Sequence, residues 1–372
     1  MKILIVSGEI SGDIYGAKIA QEILRQNSSV TLFGIGGDRL KEICHNYIFD
    51  IAHNNAIGIT ERFSKRKLFK ELFKSITAFL KETKIDKVVL IDFQHYNFKL
   101  ASLFQEFNIP ITTFITPNFW IWDDLKKVRK VVDYSDKIIT IFKKEYELYK
   151  RFYPSVYYFG HPLIEMLQPE IKQTSEIDKE KKVITLFPGS RTQEIDLLLP
   201  KMLETIRILY EENPNKYIFY IKISSKRFMP LIVKYLKEKK ASFVRIWERD
   251  PEKIFSHSDV IISSTGSASL ETVLHNVPLI ILGALSPLTF FAAWHLLKIQ
   301  PEFIALPNII AEEEIIPEYM QDKIIPEDIA KKTKYLLQPK AKKELLSKYD
   351  AIRKDLQETE HPLENICKTI LS

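Results

Sequence analysis

Short runs of glycine, hydroxyl and charged residues follow several of the apolar stretches in this 372-residue chain. Val183-Ile184-Thr185-Leu186-Phe187 leads into Pro188-Gly189-Ser190-Arg191, and Thr192-Gln193-Glu194-Ile195 opens a helical pattern. A small turn at a helix N-terminus presents backbone N–H groups and the positive dipole end to an anion. Arg191 adds a planar fork suited to a phosphate. A capped turn with an exposed arginine reads the same way. Ile261-Ile262-Ser263-Ser264 runs into Thr265-Gly266-Ser267-Ala268-Ser269-Leu270-Glu271. Thr265, Gly266 and Ser267 offer hydroxyls and N–H groups to a diphosphate, and Glu271 can accept from both hydroxyls of a ribose. An ordinary helix start rich in capping residues is the alternative. Two such loops together, one carrying Gly189, Ser190 and Arg191, favour a nucleoside-diphosphate site.

The first half of the chain carries a different set. Gly8-Glu9-Ile10-Ser11-Gly12-Asp13 follows the opening apolar run, and its carboxylates suit sugar hydroxyls. Ser11 or Asp13 could instead cap a helix beginning near Ile14. Asp92 closes Lys87-Val88-Val89-Leu90-Ile91, where a carboxylate can take a proton from an attacking hydroxyl or serve as a satisfied structural group. The absence of GxxxxGK[ST] argues against a P-loop enzyme. Gly34-Ile35-Gly36-Gly37 lacks the third glycine of a dinucleotide fingerprint. His161 stands alone at a domain crossing, and Trp120 and Trp122 flank Ile121. The two cysteines, Cys44 and Cys367, indicate neither a disulfide framework nor a metal site, and the compartment reads as reducing.

These loops need elements to position them. Strands are expected at Lys2–Ser7, Val30–Ile35, Lys87–Asp92, Ile111–Ile115, Lys137–Phe142, Val183–Phe187, Tyr217–Lys222, Phe243–Trp247 and Val260–Ser263. They are continuous apolar runs separated by helical patterns, which implies α/β architecture with parallel sheets covered on both faces. The polar stretch 168–182 divides the strands into a domain at 1–167 and a second at 183–340, with a helical tail at 341–372. Two facing doubly wound, Rossmann-like domains put a ligand cleft where strand C-termini converge. The net charge of +6 is too small to indicate nucleic acid, yet suits anionic head groups or diphosphates. No secretory signal opens the chain. From Val277 to Leu297 there is no Asp, Glu, Lys or Arg. Pro278, Gly283 and Pro287 break this stretch into a strand at Leu279–Leu282 and an apolar helix at Pro287–Leu297, more a surface-dipping element than a span. The segment Ser64–Lys81 reads as a core helix with a basic face, with docking to an anionic membrane surface as the other reading.

At this point the motifs resemble those of the lipid-A-disaccharide synthase family. The residues that carry the resemblance are Gly8 to Asp13, Gly58-Ile59-Thr60-Glu61, Asp92 with Asn97, Pro117 with Trp120 and Trp122, and Gly160-His161-Pro162-Leu163. They continue with Leu186 to Arg191, Thr265 to Glu271, Leu306-Pro307-Asn308, and Pro317-Glu318 with Gln321. The resemblance implies a GT-B architecture and inverting transfer of 2,3-diacylglucosamine from its UDP-linked form to the 6-hydroxyl of 2,3-diacylglucosamine 1-phosphate. It implies a peripheral protein at the cytoplasmic face of the inner membrane, with no metal and no cofactor. By this similarity Asp92 is the base, Arg191 a diphosphate contact and Glu271 a ribose contact. Asn308 and Gln321 complete the nucleotide side, and Glu9, Ser11 and Glu61 line the acceptor side. The chain departs from the family pattern at His95, where a second Asp is expected, at Asp123, and at Gly283-Ala284. A UDP-sugar epimerase or a non-catalytic nucleotide-sugar-binding protein would use the same nucleotide loops.

Overall fold

The computed structural model describes residues 1–51, 62–92, 96–116, 124–167, 181–248, 253–286 and 302–372, with backbone only at Ile10 and 62–68. Glu61, His95, Trp120, Trp122, Asp123 and the apolar helix expected at Pro287–Leu297 lie outside these residues, as does most of the expected linker.

The described residues form two compact units, Met1–Met166 with Asp355–Ser372, and Leu167–Lys354. The first holds a seven-stranded sheet: β1 (Lys2–Ser7), β2 (Thr31–Gly36), β3 (Asn46–Asp50), β4 (Lys87–Ile91), β5 (Ile111–Phe114), β6 (Lys137–Thr140) and β7 (Val156–Tyr158). Its order is β3-β2-β1-β4-β5-β6-β7, every pair parallel. The second holds β8 (Lys182–Phe187), β9 (Tyr217–Lys222), β10 (Val244–Trp247), β11 (Val260–Ser264), β12 (Leu279–Gly283) and β13 (Glu318–Met320). Its order is β10-β9-β8-β11-β12-β13, again all parallel.

Aliphatic strands such as Ile3-Leu4-Ile5-Val6, Val88 to Ile91 and Val260-Ile261-Ile262 are fully buried, as parallel sheets with crossover helices require. In each sheet the order reverses once, between β1 and β4 and between β8 and β11. Right-handed crossovers then wind helices onto opposite faces from that point outward, which opens a crevice beyond the strand C-termini there. Helix Arg62–Glu82 buries Phe69, Leu72, Ile76 and Leu80 at helical spacing, leaving Lys70, Lys74 and Lys81 exposed. No helix among the described residues is long and apolar enough to cross a membrane.

The tail consists of helices Pro339–Leu356 and Pro362–Leu371, and from Asp355 it belongs to the first unit. Lys87 Nζ donates to the carbonyls of Ile370 (3.1 Å) and Leu371 (3.0 Å), and Lys137 Nζ to that of Thr369 (2.9 Å). Two cations at the start of β4 and β6 thus satisfy the carbonyl end of the last helix and complement its dipole. The connection between the two helices presses on Gly160, where a Cβ would stand 2.8 Å from Glu358 N and Leu356 O at a φ of +94°. His161 beside it donates its N–H to Leu356 O at 2.8 Å. Its ring is buried, accepts from Leu163 N at 3.2 Å, and is held neutral by burial, which lowers its pKa to about 3. His161 therefore has a structural place. Gly160→Ala adds both a left-handed penalty and a backbone overlap, and should lower unfolding stability by about 1–3 kcal/mol in urea titration.

Candidate active site

In the first unit the chain leaves β1 at Ser7 and β4 at Ile91, neighbouring residues across the reversal. Helix Ile10–Gln26 begins directly after Gly8-Glu9, earlier than the Ile14 start read from the sequence. Gly12 lies inside it, in a turn packed against both strand ends, where a Cβ would make ordinary contacts with Ser7 Cβ (3.5 Å) and Asp92 Cβ (3.7 Å). This brings Ser11 Oγ to 3.3 Å from Asp92 Oδ2, joining two of the expected site residues. Asp92 itself has φ +35°, a left-handed conformation that costs energy for any residue but glycine. Glu9 is half-buried at the N-cap, and its charge acts with burial to raise the Tyr96 phenol.

Asp13 has a different task from either sequence reading. It is 5% exposed, and its carboxylate accepts the N–H groups of Gly37 (2.7 Å), Arg39 (3.1 Å) and Leu40 (3.3 Å). It therefore caps helix Asp38–Ile43, not its own helix, and its side chain lies buried behind the strand edge. Burial raises its pKa, opposed by those three N–H groups. Gly36 of Gly34-Ile35-Gly36-Gly37 is explained by the same contact, since a Cβ there would overlap Ser7 Oγ and lie 2.9 Å from Asp13 Oδ1, whereas a Cβ on Gly34 would lie 2.9 Å from Cys44 Sγ.

In the second unit the corresponding reversal is flanked by the two glycine-bearing turns. Gly189 has φ +122° and no room for a Cβ, which would sit 2.5 Å from Glu194 Oε2. Glu194, which the sequence reading passed over, accepts from Ser190 N (3.0 Å) and pairs with Arg191 at 3.2 Å. Ser224 Oγ donates to Gly189 O at 3.0 Å. Arg191, at the N-cap of helix Thr192–Glu212, keeps an exposed side chain on this rigid turn. Across the reversal, Gly266 is the N-cap of helix Ser267–Leu274, with φ +145° and nothing within 4 Å of a Cβ position. Gly266 and Ser267 are exposed, Thr265 and Glu271 half-buried.

Asn308 and Gln321 lie beyond β12 and β13, and they act within the unit. Asn308 is fully buried; its Nδ2 donates to Ile316 O (2.8 Å) and Glu318 Oε1 (2.7 Å), and its Oδ1 accepts from Ile315 N and Ile316 N. Glu318, raised in pKa by burial, also accepts from Ile304 N (2.8 Å) and Ala305 N (2.9 Å). The Gln321 amide, oriented so that both its atoms are satisfied, brackets the backbone of Leu285, accepting at 2.9 Å and donating at 3.3 Å. Glu318 and Gln321 thus tie β13 to the chain on either side of 287–301. Among the described residues no group of three or more His, Cys, Asp or Glu could hold a metal ion.

A family profile described as lipid-A-disaccharide synthetase matches residues 3–370. A lipid-A-disaccharide synthase of Sulfurihydrogenibium sp. is 31% identical over 352 residues, covering 89% of this chain and 88% of the relative. That of Trichlorobacter lovleyi is 29% identical over 336 residues, covering 88% and 86%. Among solved structures, the UDP-GlcNAc 2-epimerase of Neisseria meningitidis bound to UDP-GlcNAc is similar with a TM-score of 0.64 at 15% identity, covering both chains fully. The Methanocaldococcus jannaschii UDP-GlcNAc 2-epimerase in complex with UDP-GlcNAc and UDP gives 0.66 at 14%, covering 100% of this chain and 99% of that one. These likenesses carry the fold, two Rossmann-like parallel units of the GT-B kind.

Asn308→Ala would leave buried partners at Ile315, Ile316 and Glu318 unsatisfied, so the ligand-free protein should lose about 2–4 kcal/mol in a thermal or urea melt. An unchanged ligand-free melt with weakened nucleotide binding would instead make Asn308 a direct ligand contact.

Proposed function

We propose that this chain, which belongs to the lipid-A-disaccharide synthetase family and is a UDP-sugar-dependent glycosyltransferase, joins two acylated glucosamines. The donor is UDP-2,3-diacylglucosamine and the acceptor 2,3-diacylglucosamine 1-phosphate. The acceptor 6-hydroxyl attacks the anomeric carbon from the face opposite the diphosphate. A C–O bond forms, the bond to the diphosphate breaks, and UDP leaves with the electron pair. The products are the β-1,6-linked lipid A disaccharide 1-phosphate and UDP. The observation that carries this reading is the pairing of Ser11 with the strained Asp92 at one sheet reversal, while two anion-suited turns flank the other.

Asp92 takes the proton of the attacking hydroxyl, and Ser11 orients its carboxylate. Glu9 and Glu61 line the acceptor, and Asp13 supports that loop from behind. Negative charge develops on the departing diphosphate, where Arg191 and the N–H groups near Ser190 and Ser267 stabilise it. Glu194 limits the freedom of Arg191, so less ordering is required when the phosphate arrives. Thr265 and Gly266 approach the diphosphate, Glu271 holds the ribose hydroxyls, and Gln321 and Asn308 maintain the nucleotide side. The exposed lysines of helix Arg62–Glu82 suit the anionic cytoplasmic surface of the inner membrane, where the acylated substrates reside.

Turnover of these two substrates by the parent and by Asp92→Ala tests the assignment. Disaccharide from the parent and a loss of roughly 100-fold or more in the variant are expected. UDP binding without product would move the chain to another UDP-sugar reaction. Arg191→Ala should weaken UDP binding roughly tenfold or more in calorimetry, the worth of a charged hydrogen bond.

A further inference from the structure

Glu145 is a buried carboxylate that none of this chemistry uses. It lies in helix Lys143–Lys150 and is 1% exposed. Its Oε1 accepts the Thr116 N–H at 3.2 Å and also the Thr116 hydroxyl. Its Oε2 accepts the N–H groups of Ile141 (2.9 Å) and Phe142 (3.3 Å). One side chain therefore fastens the chain just beyond β5 to the chain just beyond β6, its neighbour in the sheet.

The residue before Thr116 is Ile115, with φ +59°. A β-branched residue almost never takes this left-handed conformation, and such strain persists only where the surroundings over-determine it. Strand register pairs Ile91 of β4 with Phe114 of β5. Asp92 and Ile115 are the next residues on each strand, so two strained residues stand abreast at the edge that carries the base.

We propose that Glu145 is a positioning residue for the acceptor side of the site, clamping the β5 end through Thr116 so that the strained edge beside Asp92 keeps its shape. The inference rests on the reading of Asp92 as the base. Three of the four partners are backbone N–H groups that can only donate, so the clamp favours the ionised carboxylate. Burial nevertheless pushes the Glu145 carboxyl up to about 7 against the pull of those donors. The titratable groups around it are the Tyr149 phenol on its own helix and the Tyr158 phenol on β7, both pushed up by burial, and the neutral His161 ring packed on Phe142. With its folded pKa above the ordinary 4.5, Glu145 makes folding less favourable as pH rises from about 4.5 to about 7. Acceptor use should change in the opposite sense, improving as the clamp ionises.

Glu145→Gln keeps the shape but sets an amide N–H₂ against two donors. Its kcat/KM for 2,3-diacylglucosamine 1-phosphate should fall roughly 10- to 100-fold, the scale of a misplaced reacting group. UDP affinity should stay within about twofold, since UDP belongs to the other unit's loops, and the acid limb near pH 7 expected of the parent should be absent from the variant. Thr116→Val, which removes only the hydroxyl donor, should show a smaller loss in the same direction, and it carries the test if Glu145→Gln does not fold. Unchanged acceptor kinetics in a folded variant would overturn the proposal. Hydrogen exchange keeps the clamp testable apart from the reaction. Faster exchange at peptides spanning Asp92 and Thr116 in the variants supports it, and parent-like exchange there overturns it. A parent that makes no disaccharide would count against the functional reading alone.

Discussion

A parallel sheet covered on both faces has no free surface except its strand ends, and that constraint governs where this chain can do chemistry. Strands such as Ile3 to Val6 and Val260 to Ile262 must be apolar on both sides, so polar groups are excluded along their length. Polar groups tolerated at the edges must find partners or water. Where the strand order reverses, neighbouring crossovers diverge and the edge opens. In the first unit that edge receives Ser11 and Asp92; in the second it receives the turns at Gly189 and Gly266.

Loops at such edges lack a sheet to hold them, and the chain solves this repeatedly in one way. A carboxylate anchored on a regular element accepts backbone N–H groups from an irregular one. Asp13 holds Gly37, Arg39 and Leu40; Glu145 holds Thr116, Ile141 and Phe142; Glu194 holds Ser190; Glu318 holds Ile304 and Ala305. Each ion would be costly to bury alone, and the converging donors offset much of that desolvation. The loops gain fixed geometry mainly through their backbone N–H groups, with the Thr116 hydroxyl and the Arg191 guanidinium adding to it.

The central strands were legible because continuous β-branched runs leave little alternative: β1 and β9 have the bounds read from the sequence, and the others differ by one or two residues at their ends. The strands that escaped notice are β3, β7 and β13, edge or near-edge strands of three to five residues with half-exposed side chains. Burial on one side only leaves no continuous apolar run to read. Among the candidate residues, those named from local pattern lie where the pattern suggested, at turns following β1, β4, β8 and β11. Asp13 was misjudged because its partners begin 24 residues away on another helix, and no local spacing encodes that contact. The contact of Glu145 with Thr116 and those of Glu318 are hidden for the same reason. Glu194 and Glu145 each left a local trace, standing three residues beyond the N-cap, where a carboxylate commonly returns to the backbone.

The departure at Gly283-Ala284 can be read physically. Gly283 ends β12 beside Thr265, and a Cβ there would stand 2.5 Å from Ile304 Cδ1 and 3.5 Å from Thr265 Cγ2. Ile304 thus fills the place that a larger residue at 283 would occupy, and its own backbone N–H is fixed by Glu318. Glycine at 283 and the isoleucine at 304 are consequently one packing solution. The exchange keeps the end of β12 closed against the turn that starts at Thr265. An aromatic residue placed at 283 alone would displace Ile304, pull against the Glu318 carboxylate, and disturb the turn at Thr265 from behind. Compatibility at this edge therefore belongs to the pair, and substitutions at the two positions are coupled through their direct contact.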